Sequence, residues 1–381
     1  MNRRRAALAG LAALVLGVGG CAGDDGEGRA GGGSLSVYVS VPLDGARGAE
    51  GRGIADGARL ALAEARGRAG GIRVRAVYMD DTVGGRWSLA RTAENARRAV
   101  EDSSAIGYIG DLDSGATRVS LPITNQAGIV QISPGSTAVD LTRLPPVGSL
   151  GPERLRPSGE ETFARVVPDD EVQARGAAIW AERMGAGRVG VAGDGSQFGR
   201  VLSQAFLEQA AESGLGSGEG GGVDLVYYAG GPEAFRAAVR GIPPRRVIGS
   251  DALIDPAFLR STTAVADRLF LTSPFIDPAL LPPAGRRFAR VFGRRFGRPA
   301  PPSAAYGYEG MALLLDAIRR AGDDGDERDA VVDEVLSTVD RRSPLGTYSI
   351  DGNGDTTLDA VSGYRISDGL PVFPVSLEAP R

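Results

Sequence analysis

Short apolar runs alternate with longer segments of helical spacing through most of this chain. Residues 35–41 form a short apolar run and residues 72–79 alternate, as expected of strands, whereas residues 53–68 and 87–102 have the spacing of helices. The alternation continues with a strand at 105–109. A repeated strand–helix order favours a mostly parallel sheet that is covered by helices, so we expect an α/β fold.

The alternation is interrupted once and then begins again. Residues 143–161 are rich in Pro, Gly, Ser and charged side chains, which is typical of a surface excursion. From Phe163 onward strands and helices alternate as before, and a C-terminal hairpin is expected from Gly346 to Ile366. The sequence therefore predicts two doubly wound lobes of similar, Rossmann-like design.

The amino-terminal segment has the pattern of an export signal. Arg3-Arg4-Arg5 precedes an uncharged run, residues 6–18, that is too short to span a bilayer, so residues 1–20 are predicted to be a signal peptide. The sequence Val18-Gly19-Gly20-Cys21 resembles the bacterial lipobox. That resemblance implies cleavage before Cys21, lipid on its thiol and anchoring at the extracytoplasmic face of the cell membrane. An ordinary signal peptide followed by a chance cysteine is the alternative.

The next segment, residues 21–33, is rich in glycine and carries charged residues but little apolar surface. Such a composition cannot form a core, so a flexible tether is expected there. The folded part is expected to start near Ser34.

The absence of histidine and lysine from the chain excludes several kinds of chemistry. Catalysis by Ser-His-Asp or Cys-His, zinc sites built on histidine, and Schiff-base chemistry all require residues that are missing. The net charge of −4 gives no general attraction to nucleic acid, and a single cysteine allows no internal disulfide. We therefore expect no enzyme activity, no metal and no cofactor. A hydrolase that uses carboxylates is the least favoured alternative.

Polar loops follow several predicted strands at their carboxyl ends. These loops are residues 111–114, 133–137, 194–198 and 250–251. Because the carboxyl ends of parallel strands meet at one edge of a sheet, two such lobes are expected to bind a small ligand in the cleft between them.

Several segments follow one another along the whole mature chain in a recognisable order and spacing. They are Ala69-Gly70-Gly71-Ile72 with Asp80-Asp81, then 109–115, 127–137, 163–173, 189–199, 249–251, and 346–351 with Gly354-Asp355. Together they resemble the type I periplasmic binding proteins, and specifically the leucine/isoleucine/valine-binding branch that serves ABC transporters. The resemblance implies two lobes joined by a three-stranded hinge.

The resemblance also implies how the two charged groups of an amino-acid ligand are held. Ser114, Ser136 and Thr137 stand at the positions that bind the ligand carboxylate, where hydroxyls and helix N-termini form an anion site. Asp251 stands at the position that binds the ligand ammonium. The alternatives are that Ser114 and Thr137 are simply helix caps, and that Asp251 is a turn residue or a cap.

Two further positions are expected to face the ligand. Phe198 stands where relatives often have tyrosine, and Glu50 falls in a loop that often lines the side-chain end of the ligand. Gly230-Gly231 replaces an aromatic pair that is found in some relatives. These departures leave the identity of the ligand open.

The hinge crossings are expected near Arg165, Pro274 and Pro344. One lobe would then comprise residues 34–165 and 275–343, and the other residues 166–274 and 344–381.

The predicted function is that of a solute-binding lipoprotein of an ABC importer, monomeric, with a branched-chain type amino acid as ligand and an ABC permease as partner. A receptor for an amide, urea or a small carboxylate is one alternative. A sensory lipoprotein with no transport role is another.

Overall fold

The computed structural model describes residue 30 and residues 33–146, 151–218, 222–239, 246–261 and 266–379. The predicted signal peptide and the predicted lipidation site at Cys21 lie outside these residues, as does most of the predicted tether. Ala30 is nevertheless buried, and its N–H donates to the carbonyl oxygen of Asp326 at 2.6 Å. The predicted tether therefore touches the folded part three residues before its expected end. Within the described residues, no helix is both long enough and apolar enough to cross a membrane.

The strands that come first along the chain build one sheet and a small hairpin. They are β1 (Leu35–Val41), β2 (Arg68–Ala69), β3 (Ile72–Asp80), β4 (Thr82–Val83), β5 (Arg86–Trp87), β6 (Ala105–Ile109), β7 (Val130–Ser133) and β8 (Phe163–Arg165). The sheet has the order β2-β3-β1-β6-β7-β8, and β4 pairs only with β5. Every residue of β1 is buried, as expected for a strand of a parallel sheet with both faces covered.

The remaining strands build a second sheet and a second small hairpin. They are β9 (Arg188–Gly193), β10 (Gly216–Ser217), β11 (Leu225–Ala229), β12 (Arg246–Gly249), β13 (Leu269–Ser273), β14 (Arg341–Ser343), β15 (Gly346–Tyr348), β16 (Ala360–Ser367) and β17 (Leu370–Glu378). The second sheet has the order β10-β9-β11-β12-β13-β16-β17, and β14 pairs with β15. At one edge of this sheet, strand β16 runs antiparallel to both of its neighbours, β13 and β17.

Helices pack against both sheets. The described helices are α1 (Gly48–Glu64), α2 (Leu89–Glu101), α3 (Ser114–Gln126), α4 (Asp170–Arg183), α5 (Gln197–Glu212), α6 (Pro232–Val239), α7 (Pro256–Ser261), α8 (Pro283–Phe296), α9 (Ala304–Arg320) and α10 (Arg328–Leu336). Helices α1 to α3 and α8 to α10 pack in the first lobe, and α4 to α7 pack in the second. The predicted α/β fold of two doubly wound lobes is confirmed.

Helices α1 and α9 approach each other closely because glycines stand at their contact. A Cβ at Gly57 would lie 2.0 Å from the carbonyl oxygen of Ala304, and a Cβ at Gly307 would lie 2.1 Å from the carbonyl oxygen of Ile54. No side chain fits at such distances, so glycine is required at both positions. The close contact fixes the helix layer on which the first sheet packs.

In the part of the chain that the structure describes, there are three passages between the lobes, and the third differs from its predicted place. The first passage follows β8, and the second follows β13, since Phe275 already packs in the core of the first lobe. Tyr348 and Ile350 also belong to that first core. The third passage therefore lies between residue 350 and β16, whereas the sequence analysis set it near Pro344.

The C-terminal hairpin also differs from the prediction of a single hairpin from Gly346 to Ile366. Strand β15 pairs with the preceding strand, β14, in a short hairpin. The longer hairpin is formed by β16 and β17 around Asp368-Gly369. Both turn residues have positive φ, 52° and 71°, as a tight two-residue hairpin turn requires.

Candidate ligand-binding site

A cavity of about 390 Å³ lies between the two lobes and is lined by residues of both. The loops after β6 and β7 supply its first-lobe wall. The start of α5 and the residues after β12 supply much of its second-lobe wall. Of the residues predicted to bind a ligand, the structure brings Ser114, Thr137, Phe198 and Asp251 together in the lining.

The first-lobe wall is suited to an anionic group. Helix α3 begins at Ser114, so its first N–H groups and the positive end of its dipole lie at the cavity. The Ser114 hydroxyl accepts a hydrogen bond from the backbone N–H of Ala138 at 3.1 Å, which joins the two loops of this wall. Ser114 therefore bridges loops as well as facing the cavity.

Ser136 and Glu50 do not line the cavity. The Ser136 side chain is fully buried; its hydroxyl lies 2.7 Å from that of Thr117 and donates to the carbonyl oxygen of Asp111 at 3.1 Å. Glu50 instead accepts a hydrogen bond from Nε of Arg47 at 2.7 Å. Ser136 therefore holds the loop after β7 through buried hydrogen bonds, and Glu50 holds Arg47, which does line the cavity.

Asp251 faces the cavity from the second lobe. It follows the short strand β12 and is half-buried. Burial raises the pKa of its carboxyl, and the positive charge of Arg47 in the first-lobe wall acts in the opposite direction. Within the described part of the chain, no cation lies within ion-pair distance of this carboxylate.

Asp170 is a second acidic residue of the same wall, and the sequence analysis did not single it out. Its side chain is almost fully buried, it lines the cavity, and its Oδ1 has no hydrogen-bond partner among the described residues. Burial raises the pKa of Asp170 to about 7, although a hydrogen bond from the Thr137 hydroxyl partly offsets this effect. The backbone N–H of Asp170 also donates to the carbonyl oxygen of Thr137 at 2.9 Å across the lobes.

Arg47 is the most prominent charged residue of the first-lobe wall, and it too was missed. It precedes α1 and lines the cavity, where its guanidinium binds Glu50 at 2.7 Å and forms a short ion pair with Asp113. Burial acts to lower the pKa of Arg47, but the carboxylates around it outweigh this effect and raise the pKa. Arg47 is therefore permanently charged and held from two sides.

A second charged cluster lies at another part of the first-lobe wall. Arg118 makes a bidentate contact with Asp140, from Nε to Oδ2 at 2.9 Å and from Nη2 to Oδ1 at 2.5 Å. Arg154 donates from Nη2 to Oδ2 of the same carboxylate at 2.9 Å. The two arginines lower the pKa of Asp140 and outweigh its burial, which acts in the opposite direction. Arg118 and Asp140 line the cavity as an already satisfied pair.

Two aromatic side chains contribute to the apolar part of the lining. Phe198 in α5 and Phe275 just after the second passage both face the cavity. Phe275 packs edge-on against Tyr306, with ring centroids 5.0 Å apart. Neither ring carries a hydroxyl, so this part of the wall offers contact area without hydrogen bonds.

Some of the missed residues carried a signal in the sequence. Asp170 follows the strand β8 and a proline, at the start of a helix, which is the same context that drew attention to Ser114. Arg47 carried no such signal, because its place depends on an ion pair with Asp113, a residue 66 positions away.

The comparisons with known proteins agree with this architecture. A family model described as periplasmic binding protein matches residues 35–242 and 222–369. No protein of curated function matches the chain. Among solved structures, a leucine-binding protein from Thermotoga maritima has 22% identity and a TM-score of 0.71, covering 90% of this chain and 99% of its own.

Two further solved structures have the same fold. A substrate-binding protein of an ABC transporter from Desulfitobacterium hafniense, in complex with Leu, has 22% identity and a TM-score of 0.71 over 90% of this chain and 100% of its own. A solute-binding protein from Rhodopseudomonas palustris, in complex with 3,4-dihydroxybenzoic acid, has 16% identity and a TM-score of 0.68, covering 92% of this chain and 99% of its own. The family predicted from the sequence is confirmed, and this chain belongs to the periplasmic binding protein family.

Proposed function

We propose that this protein is the extracytoplasmic substrate-binding component of an ABC importer and that it binds a free amino acid in the cleft. One observation carries the proposal: the two walls of the cavity have complementary chemistry. The N-terminus of α3 with Ser114 and Thr137 suits a carboxylate, and Asp170 with Asp251 suits an ammonium. An amino acid carries both groups on one carbon atom and can therefore contact both lobes at once.

Contact with both lobes gives the ligand a way to act on the conformation. A ligand that binds both walls has a higher affinity for the closed arrangement than for an open one, so binding shifts the population toward closure. The three passages between the lobes are the elements that would bend. A permease would then recognise the closed form and accept the ligand from it.

Calorimetry with the mature protein tests the proposal most directly. Each of the common free amino acids is titrated, and the best ligand is compared with its N-acetyl derivative and its carboxamide. We expect both derivatives to lose most of the affinity, because each removes one of the two charges that the cleft recognises. Binding of either derivative as tightly as the parent, or no binding by any amino acid, contradicts the proposal.

A small aromatic carboxylate is a second candidate ligand. Phe198 and Phe275 give the cavity two aromatic faces beside the anion-binding wall, and a relative from Rhodopseudomonas palustris has been solved with benzoate. Such a ligand would leave Asp170 and Asp251 without a cation. Benzoate and 3,4-dihydroxybenzoate therefore belong in the same titration, where binding of either without binding of amino acids would favour this candidate.

The lipid anchor at Cys21 is also part of the proposal. Its support is the lipobox-like sequence together with the family, whose name places its members outside the cytoplasm. In a bacterial host that lipidates exported proteins, the wild-type protein is expected in the membrane fraction. The variant Cys21→Ser is expected to lose the added lipid mass, and an unchanged mass of the mature protein would contradict the anchor.

A further inference from the structure

We infer that the cleft selects an amino acid whose side chain ends in an amide group, and that Arg47 is the residue that determines this selectivity. This inference rests on the proposed function, since it concerns the side-chain end of an amino-acid ligand. It differs from the branched-chain type of ligand that the sequence led us to expect.

The guanidinium of Arg47 is held in place by two carboxylates. Its guanidinium binds Glu50 through Nε and Nη2 and binds Asp113 through Nη1. Glu50 lies in the first turn of α1, and Asp113 is the residue just before α3. Two carboxylates on two different elements therefore hold the planar group in one orientation against the cavity. Binding a ligand then requires little further loss of side-chain conformational entropy at Arg47.

Arg47 has more N–H donors than its two carboxylate partners use. A guanidinium has five N–H groups, and the contacts with Glu50 and Asp113 use three of them. The other two have no acceptor among the described residues. In an open cleft water satisfies them. When the cleft closes over a ligand, an aliphatic side chain at this wall would strip that water and leave charged donors unpaired.

The charges around Arg47 disfavour an acidic side chain on the ligand. Glu50 and Asp113 already place two negative charges against the single positive charge of Arg47, and the field of Asp251 reaches the same guanidinium. A carboxylate from the ligand would gain one cation and meet three anions. A cationic ligand side chain would compete with Arg47 for the same carboxylates. It also could not accept hydrogen bonds from the free N–H groups of Arg47.

A neutral amide avoids both conflicts. Its carbonyl oxygen accepts hydrogen bonds from the free N–H groups of Arg47, and its NH₂ group donates to the carboxylate of Asp113, which lines the cavity and remains partly exposed. Sites built to hydrogen-bond a ligand reject analogues that lack the polar group far more strongly than apolar pockets reject a change of size. Arg47 therefore favours asparagine-like or glutamine-like ligands over leucine-like ones.

Three ligands of nearly the same shape test the inference, because leucine, asparagine and aspartate differ mainly in the atoms at the end of the side chain. Calorimetry with the wild-type protein is expected to give an affinity for asparagine at least about tenfold above those for leucine and aspartate. Glutamine, citrulline and arginine extend the series to longer side chains, and arginine is expected to be weaker than citrulline.

The variant Arg47→Met keeps an unbranched, flexible stem, although a shorter one, and removes the N–H donors. It is expected to abolish the preference for asparagine over leucine, whereas Arg91→Met, an exposed residue on α2, is expected to keep it. A wild-type preference for leucine or aspartate overturns the inference and leaves the proposed function standing. An unchanged preference in Arg47→Met also overturns it. Failure of every amino acid to bind contradicts the proposed function itself.

Discussion

Arg165 donates from Nε to the carboxylate of Asp355 at 2.6 Å, and both side chains are fully buried. The two residues lie 190 positions apart, Arg165 at the end of β8 in the first passage between the lobes and Asp355 in the third. The same guanidinium donates to the carbonyl oxygen of Ala138 at 2.9 Å, which lies in the cavity wall. One side chain thus links the first and third passages between the lobes to a loop of the cavity wall.

Removing this arginine is expected to destabilise the fold strongly. Arg165→Met leaves a buried carboxylate without its closest cation, and breaking a buried pair in this way typically costs about 3–5 kcal/mol of unfolding free energy. Chemical denaturation measures the loss. The double variant Arg165→Met/Asp355→Asn is expected to recover part of it, and Arg97→Met on an exposed face of α2 serves as the control. Equal losses in the single and double variants would argue against the pair as the cause.

Ligand binding is expected to depend on Asp251. Asp251→Asn keeps the shape of the side chain and removes its charge, so a ligand ammonium in the cleft would lose its charged acceptor. Truncating one partner of a desolvated charge pair costs about 2–5 kcal/mol, which corresponds to at least about a thirtyfold loss of affinity. Calorimetry with the best amino acid measures this loss. Asp267→Asn, which changes an exposed carboxylate outside the cavity lining, is the matched control. Unchanged affinity in Asp251→Asn would remove Asp251 from the site.

The arrangement of elements could be predicted from the sequence, but the assignment of the third passage could not. Strand β6 matches its predicted limits, because a run of buried apolar residues is a local signal. Tyr348 and Ile350 could be buried in the core of either lobe, so the spacing of apolar residues does not indicate that they pack in the first. Only the packing of the whole molecule decides that.

The candidate site divides in a similar way. Ser114, Thr137 and Asp251 meet at one cavity because each follows a strand of a parallel sheet, a relation that the order of elements already implies. Arg47 reaches the cavity through a long side chain that two distant carboxylates hold in place. Such contacts depend on side-chain reach rather than on chain position, so they could not be predicted.

The stability of the protein is expected to fall as the pH rises from about 5 to 8. Burial raises the pKa of Asp111 to about 8 and that of Asp81 to about 7, from an ordinary value of 3.8. In this range the folded chain retains protons that the unfolded chain has released, so raising the pH favours unfolding by up to about 1.4 kcal/mol per pH unit for each carboxyl. Chemical denaturation at several pH values measures the slope.

A pair of variants isolates this effect. Asp111→Asn cannot ionise, so its unfolding free energy is expected to depend less steeply on pH between 5 and 8. Asp102→Asn is the control: hydrogen bonds from Ser104 and Tyr38 outweigh burial and lower the pKa of Asp102 to about 2, so this carboxyl titrates below the window. Its removal is expected to reduce stability by a constant amount. The same slope in Asp111→Asn as in the wild type would show that Asp111 does not titrate there.

Affinity for an amino acid is expected to rise with pH between 6 and 8 through Asp170. Burial raises the pKa of Asp170 to about 7, the Thr137 hydroxyl and Arg165 lower it, and the nearby charges of Asp169 and Asp251 raise it. A protonated Asp170 offers no charge to a ligand ammonium. If only the ionised form binds well, one proton is released on binding, and the affinity increases about tenfold across this range.

Calorimetry at pH 6, 7 and 8 in buffers of different ionisation enthalpy measures both the affinity and the number of protons released. Asp170→Asn is expected to bind more weakly at pH 8 and to show a flatter dependence on pH, because the titrating group is gone. Asp267→Asn, which changes an exposed carboxylate outside the cavity lining, is expected to keep the wild-type slope. A slope that persists unchanged in Asp170→Asn would assign the titration to another group of the cleft, and Asp251, whose pKa burial also raises, would then be the residue to replace.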